Sequence, residues 1–222
     1  VGLVIVAFMV VLAVFAPILS PQDPNAIDVT KSFLSPGTEG HILGTDAYGR
    51  DLLSRIIYGA RVSIFVAVGG SIVGAIAGIL LGLIAGYMGG IVDSVIMRIM
   101  DGMMAFPFIL LALILMTILG TGTTNVILAI GISNVPSFAR VVRGQVHVVK
   151  NEEYCNAERV LGASGSRILF RHILANSISP IIVYFTLNVA SAIISEAALS
   201  FLGMGITQPT PSWGNILSEG KE

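Results

Sequence analysis

The sequence predicts an all-α protein, a polytopic bundle of membrane-spanning helices, and three observations carry that reading. Of its 222 residues, 55% are hydrophobic and only 11% are charged, with a mean hydropathy of +0.90, which leaves too little polar surface for a soluble domain. Charge is absent before Asp23, between Arg61 and Asp93, from Gly102 to Ala139 and from Ile173 to Ser195. A helix needs about 20 apolar residues to cross the hydrocarbon layer, so each stretch holds at least one crossing. Polar pieces rich in Gly and Pro separate them.

The same composition excludes other classes. A net charge of −1 and no sustained basic run exclude nucleic acid as a partner. Cys155 is the single cysteine, so neither an internal disulfide nor a thiolate cluster can form. His41, His147 and His172 all lie outside the apolar centres, and no metal site within the membrane is readable.

Val1 to Leu19 makes the first span, closed by Pro17 and the turn-rich Ser20-Pro21-Gln22-Asp23-Pro24. It lacks the charge and small-residue cleavage pattern of a signal peptide. With valine first and Gly220-Lys221-Glu222 last, the sequence reads as a piece of a longer chain. Residues 20–61 carry charges of both signs and cannot span. Their most distinctive piece is Leu43-Gly44-Thr45-Asp46-Ala47-Tyr48-Gly49-Arg50-Asp51, followed by Ser54-Arg55 and Gly59-Ala60-Arg61. The residues alone suggest a glycine-rich loop in which Asp46, Arg50 and Asp51 pair with one another, leading into an amphipathic helix. A phosphate-binding loop would need Gly-Lys-Ser/Thr after a strand, and none is present.

The second span lies between Arg61 and Asp93. Gly70, Gly74, Gly78, Gly82 and Gly86 fall at successive fourth positions, a groove without side chains over roughly 24 Å of helix. Small residues at this spacing let another helix approach closely, so the groove reads as a packing surface, within the subunit or against a second one. Asp93 to Asp101 reads as a short polar link. Met97, Met100, Met103 and Met104 make a stripe on the helix that follows, either as core packing or as the lining of a permissive path. Pro107 should bend or break the third span. Gly120-Thr121-Gly122-Thr123-Thr124-Asn125 divides the charge-free 102–139 stretch into two helices joined by a tight turn, and the fourth span ends near Arg140 and Arg143.

Lys150 to His172 is the longest run of charge between two apolar segments. Tyr154, Ala157, Val160 and Leu161 recur there at helical spacing, with Glu152, Glu153, Glu158 and Arg159 between them, as in a short amphipathic helix. Gly162 stops it. Ala163 to Ser166 forms a small-residue corner with capping serines, and Arg167 to Leu174 starts a second helix. Ile173 to Ser195 is the fifth span. Glu196 follows at the helix end, either paired with an arginine of the 43–61 segment or functional in its own right. Residues 204–222 hold too much Gly and Pro to span, and Trp213 suits an interface.

Six Lys or Arg in 140–171 against four in 20–61 place the former in the cytoplasm and residues 20–61 and 204–222 outside. The organisation is then a first helix at 1–19, an outer segment at 20–61, a core at 62–203 containing a cytoplasmic loop at 144–172, and an outer segment at 204–222. Candidate gate or pathway positions are Met100, Asp101, Met104, Phe106, Pro107 and Glu196.

Several of these pieces resemble one family. Asn156-Ala157-Glu158-Arg159-Val160-Leu161-Gly162 resembles the Glu-Ala-Ala-x-x-x-Gly loop in the membrane subunits of ABC importers, with Ile173-Leu174 in register. Asn156 stands where that family has glutamate, and Ala175 where proline is usual. Gly44-Thr45-Asp46-x-x-Gly49-Arg50-Asp51, Asp101-x-x-x-Ala105-Phe106-Pro107, Glu196-Ala-Ala-Leu-Ser-Phe-Leu-Gly203-x-Gly205 and Pro209-Thr-Pro-Ser-Trp-Gly214 are similar to segments of its peptide and nickel permeases. The resemblance covers nearly the whole chain. It implies a type I importer permease fold with a sixth span beyond residue 222, in a prokaryotic plasma membrane. The cargo would be di- or oligopeptides or nickel. Partners would be a second homologous permease, two ATPase subunits holding ATP and Mg, and an extracellular substrate-binding protein. The coupling loop would be formed by Tyr154, Asn156, Ala157, Glu158, Arg159, Gly162 and Ala163.

The chain itself shows no catalytic residue, cofactor or metal site. No Gly-Lys-Ser/Thr occurs, so ATP must be hydrolysed elsewhere. No span carries an acid pair or histidine chain for relaying protons, which disfavours a gradient-driven secondary transporter. A membrane scaffold that moves nothing is the other competing reading.

Overall fold

The computed structural model describes residues 1–38 and 40–220. Glu39, Lys221 and Glu222, which fall in the two segments assigned to the outer face, lie outside the described residues. Regular structure among the described residues is helical: α1 (Gly2–Val14), α2 (Ala16–Leu19), a short 3-10 turn (Val29–Lys31), α3 (Leu52–Met88), α4 (Gly90–Met104), α5 (Phe108–Leu119), α6 (Thr123–Val149), α7 (Glu153–Val160), α8 (Gly165–Arg167), a π-helical stretch (Ile168–Leu174), α9 (Ala175–Phe201) and α10 (Trp213–Glu219). Among these residues, α3, α6 and the continuous run Gly165–Phe201 are long and apolar enough to cross a membrane. A fourth crossing results if α4 and α5, bent by 91°, count as one broken span.

The expected first span is shorter and interrupted. α1 ends at Val14, Phe15 leaves helical geometry, and Pro17 sits in the first turn of α2. Proline lacks the N–H a continuing helix would need and clashes with the carbonyl four residues back.

Two compact units make up the chain: Val1–Val68 with Met116–Ile127 and Ala192–Glu222, and Gly69–Leu115 with Leu128–Ser191. In the first unit, α3 begins at Leu52, about ten residues before the charge-free stretch. Asp51 accepts hydrogen bonds from the backbone N–H and hydroxyl of Ser54 at 2.8 and 2.6 Å and so caps that start. The 37 residues of α3 make a helix of roughly 55 Å, longer than the ~30 Å hydrocarbon layer, so its ends extend beyond it. The turn at 120–125 follows the sequence reading. Gly120 and Gly122 adopt φ of +84° and +131°, and the Asn125 amide donates to the carbonyls of Leu119 at 2.7 Å and Gly120 at 3.2 Å, closing the end of α5.

In the second unit the α3 glycines lie against α6. A methyl group at Gly74, Gly82 or Gly86 would come within 2.9, 2.5 and 2.7 Å of α6 atoms, and one at Gly78 would overlap Phe138. α6 returns the approach, since Gly131 faces Val73 and the carbonyl of Gly70. Phe138 stacks edge-on against Tyr184, ring centroids 4.8 Å apart.

Residues 93–101 correct an expectation. They are not a polar link but the body of α4, because the break falls earlier, at Gly89 and Gly90 with φ of +66° and +53°. The two aspartates remain in the helix because α6 supplies their counter-charges. Arg143 donates to both oxygens of Asp93 at 2.5 and 2.6 Å, and Arg140 to Asp101 at 2.7 Å. The helix does end before Pro107, at Met104.

Candidate functional site

α7 is short, and its position is set by what surrounds it. Glu153 in its first turn and Arg159 in its last suit the helix dipole. Leu161 closes the helix, and Gly162 at φ +82° turns the chain in a conformation that L side chains rarely adopt. Ser164 then caps the next helix by accepting from the N–H of Arg167 at 3.4 Å, and the chain continues through the π-helical stretch into α9. The two-helix reading with a glycine corner is realised here.

A single side chain anchors α7 in the core. Cys155 is fully buried in a cluster with Leu83, Val142, Val146, Val149, Ile168, Ile173 and Ile181, and burial pushes its thiol up, so it is a protonated packing group. Polar ties hold the flanks. Lys150 donates to the carbonyl of Gly86 at 2.8 Å. Arg159 donates to the Asn156 side chain at 2.6 Å and to the Lys150 carbonyl at 3.3 Å. Glu158 lies 3.6 Å from His172, and Ala163 packs on the same cluster.

The apolar face of α7 points the other way. Tyr154, Val160 and Leu161 are 41%, 87% and 81% exposed, and Ala157 between them is also exposed. A helix normally buries this stripe; here the stripe stays open while Cys155 is buried. The sequence reading finds the stripe and misses Cys155, Lys150 and His172. A lone cysteine among charged residues gives no periodic signal to find it by.

The candidate pathway positions divide between the two units. Met100 is buried and packs with Val135 and Ala139. Asp101 pairs with Arg140, both about half exposed. Met104, Phe106 and Pro107 line a cavity of about 250 Å³ at the α4–α5 break. Glu196 belongs to the other unit. It lies within the continuous helix rather than at its end, and is fully buried. It receives hydroxyls in place of the expected arginine, from Ser63 at 2.7 Å and Ser200 at 2.8 Å. Those serines in turn accept the backbone N–H of Trp213 at 3.2 Å and of Ile206 at 3.4 Å. Two of that segment's three arginines are occupied elsewhere: Arg50 and Arg55 both reach Glu219 at 2.9 Å.

The 44–51 motif also closes on itself. Thr45 donates to the Lys31 carbonyl and accepts the Leu34 N–H at 2.8 Å. Asp46 accepts Arg50 Nε at 2.6 Å. Asp51 departs from the three-way pairing and meets His41 at 2.9 Å. Gly44 and Gly49 have positive φ and sit where a side chain would strike the backbone of Leu34 and Asp28. Among the described residues, no three His, Cys, Asp or Glu gather as metal ligands.

A family model described as "Binding-protein-dependent transport system inner membrane component" matches residues 78–221, and "N-terminal TM domain of oligopeptide transport permease C" matches residues 1–36. The dipeptide transport system permease protein DppC of Alkalihalophilus pseudofirmus is 44% identical over 100% of this chain and 73% of its own length. The di/tripeptide permease DppC of Pseudomonas aeruginosa is 41% identical over 100% of this chain and 75% of its own. The glutathione permease GsiD of Shigella flexneri is 44% identical over 97% of this chain and 71% of its own.

Proposed function

Because the chain belongs to the family of binding-protein-dependent transport system inner membrane components, as a multi-pass bacterial membrane protein of the peptide-permease type, we propose that it forms half of the path of an ATP-driven importer for di- or oligopeptides. A second, homologous permease forms the other half. A binding protein delivers cargo at the face bearing residues 20–61 and 204–222. Two ATPase subunits dock on α7 from the cytoplasm. The relatives named for dipeptides, di/tripeptides and glutathione support peptide over nickel as cargo.

The observation that carries this reading is the open apolar face of α7 on a fixed base. Val160 and Leu161 are more than four-fifths exposed, while the helix is tied by Cys155 and Lys150 to the ends of α3 and α6. An exposed apolar stripe marks a surface for a partner. With its root packed, α7 moves as a lever and transmits ATPase closure to the helices behind it, a two-state element biased from both sides of the membrane.

The test is reconstitution of the full complex in liposomes, with uptake and ATPase rate measured with and without peptide-loaded binding protein. Loaded binding protein should stimulate hydrolysis in the wild type. Ala157→Asp should abolish uptake while leaving the chain in the membrane. So should Gly162→Pro, since proline cannot take φ of +82°. Normal transport in both variants would remove the coupling role from α7. An assembled complex with no stimulation by any cargo would favour a scaffold, and uptake that survives ATP removal but collapses with an ionophore would favour a secondary transporter.

A further inference from the structure

We infer that the polar cavity between the α5–α6 turn and residues 203–218 is a site for a primary ammonium group, an inference that rests on the importer reading above for the source of that group. The cavity measures about 210 Å³, and Thr121, Ser200, Thr207, Gln208, Asn215 and Ser218 supply its polar lining. All of them belong to the first unit. Pockets that enclose a whole drug-sized ligand run to roughly 300–1,000 Å³, so this one holds a terminal group. The walls are fixed: the Gly122 N–H donates to the Gly205 carbonyl at 3.3 Å, and Gly205 lies so close to Ser200 that a side chain there would strike it.

One side chain presents an acceptor. Asn215 is 6% exposed, and its Nδ2 donates to the carbonyls of Ile206 at 2.9 Å and Thr210 at 3.2 Å, which fixes which end of the amide is which. Its Oδ1 accepts no hydrogen bond among the described residues. It is not one of the sealed orphan atoms, which are Arg55 Nε, Ser71 Oγ, Ser133 Oγ and Asn188 Oδ1, so it opens on the cavity that Asn215 lines. A mostly buried acceptor left open in this way is completed by a donor.

The charge behind the cavity selects the kind of donor. Ser200 gives its hydroxyl proton to Glu196 at 2.8 Å, so a buried carboxylate stands one hydroxyl away from the lining. Glu196 is met by the hydroxyls of Ser63 and Ser200 and by no cation among the described residues, and no Lys, Arg or His lines the cavity. A divalent metal would need a cluster of anionic or imidazole ligands, and no three such side chains gather among the described residues. An ammonium brings three N–H donors and one positive charge. The hydroxyls of Thr121, Thr207 and Ser218 are free to turn their lone pairs toward it.

The experiment places a reporter thiol in the cavity, Ser218→Cys, in the complete importer in lipid nanodiscs; the chain's own Cys155 is buried. Its rate of modification by cationic 2-aminoethyl methanethiosulfonate, relative to anionic 2-sulfonatoethyl methanethiosulfonate, should exceed the ratio at the exposed Ala47→Cys by about tenfold, the lower end of what a cleft biased to one sign does for counter-ion encounter. Methylammonium chloride should slow that modification several-fold more than tetramethylammonium chloride at the same concentration, which carries the charge but no N–H. Thr207→Lys, at an exposed position, brings an ammonium from the chain itself and should erase the preference. Equal ratios at 218 and 47, or equal slowing by the two salts, overturn the site and leave the importer reading standing. If Ser218→Cys fails to assemble, Gln208→Cys, exposed on the same cavity, is read in the same way.

Protection of the thiol then identifies the source. Protection by cargo-free binding protein that is lost when its lysines are acetylated assigns the ammonium to that protein. Protection by free Ala-Ala and not by N-acetyl-Ala-Ala assigns it to the N-terminus of the cargo. Protection by neither, with methylammonium still protecting, keeps the site and removes it from import. A complex whose ATPase no cargo stimulates overturns the importer reading, while the labelling ratio still decides the site.

Discussion

Two polar regions interrupt the apolar helices, and they treat their side chains in opposite ways. In the N-terminal segment with α10, the charges are consumed internally. Arg55 is fully buried and donates to both Glu219 oxygens at 3.1 and 2.9 Å and to the Pro24 carbonyl at 3.2 Å, while Arg50 bridges Asp46 and Glu219. In the 150–174 segment the charges lie toward the surface beside exposed apolar groups, Val160 and Leu161. The first region pairs its buried arginines within this chain. The second leaves its apolar stripe open.

The comparison can be broken most forcefully at Glu219. Glu219→Gln leaves two buried guanidinium groups with Asp46 as their remaining carboxylate, and removing one partner of a buried ionic network costs about 3 kcal/mol. A fall in melting temperature of the purified complex, with tryptic cleavage appearing at Arg50 or Arg55, is the expected result. An unchanged melting curve would mean that the network contributes little.

Next in size is Gly78→Leu, which forces a side chain into the α3–α6 contact at Phe138. Overpacking of this kind costs about 2 kcal/mol. It should reduce the yield of folded protein from detergent far more than Gly102→Leu, which faces open space. Equal yields would show that the glycine column is dispensable for packing.

A smaller effect is expected from acid. Burial of Asp51 opposes its ionisation, but hydrogen bonds from Ser54 and His41 outweigh this and hold its pKa below the ordinary carboxylate range. Because the folded pKa is the lower one, the stabilisation is complete above the unfolded value and is lost as pH falls through the carboxylate range toward the folded value. Protection factors of the amides at the start of α3, corrected for the intrinsic exchange rate at each pH, should therefore fall as pH drops below about 4, the usual carboxylate pKa. Protection that persists throughout would take Asp51 out of the account.

The smallest effect on stability should come from the other region. Val160→Asp with Leu161→Asp removes no buried contact and should move stability by no more than about 0.5 kcal/mol. Co-purification of ATPase subunits with the variant should nevertheless be lost, and retained co-purification would place the docking surface elsewhere.

Legibility in the sequence follows the range of each interaction. The turn at Gly120–Asn125 and the corner at Gly162 are local, written in glycines with positive φ and in a side chain that caps within a few residues. The breaks before Pro17 and Pro107 are legible for the same reason. The fourfold glycine spacing of α3 is visible too, but not that α6 fills it. Residues 93–101 look like a link because their charges are visible, while the arginines that neutralise them stand about 40 to 50 positions away. Glu196 looked as though it needed an arginine, because its serines come from another helix and from the following turn.

By itself the sequence determined the helical class, the membrane environment, the family and the stretch that carries the open face of α7. These rest on composition, on helical spacing and on motifs that are contiguous in the chain. Only the tertiary structure decided that Arg50 and Arg55 share Glu219, that Cys155 roots α7, and that Ser133 stands unpaired beside the methionines. Each of those depends on which segment lies opposite, and a partner some 30 to 170 positions away leaves no trace in a residue's own neighbourhood.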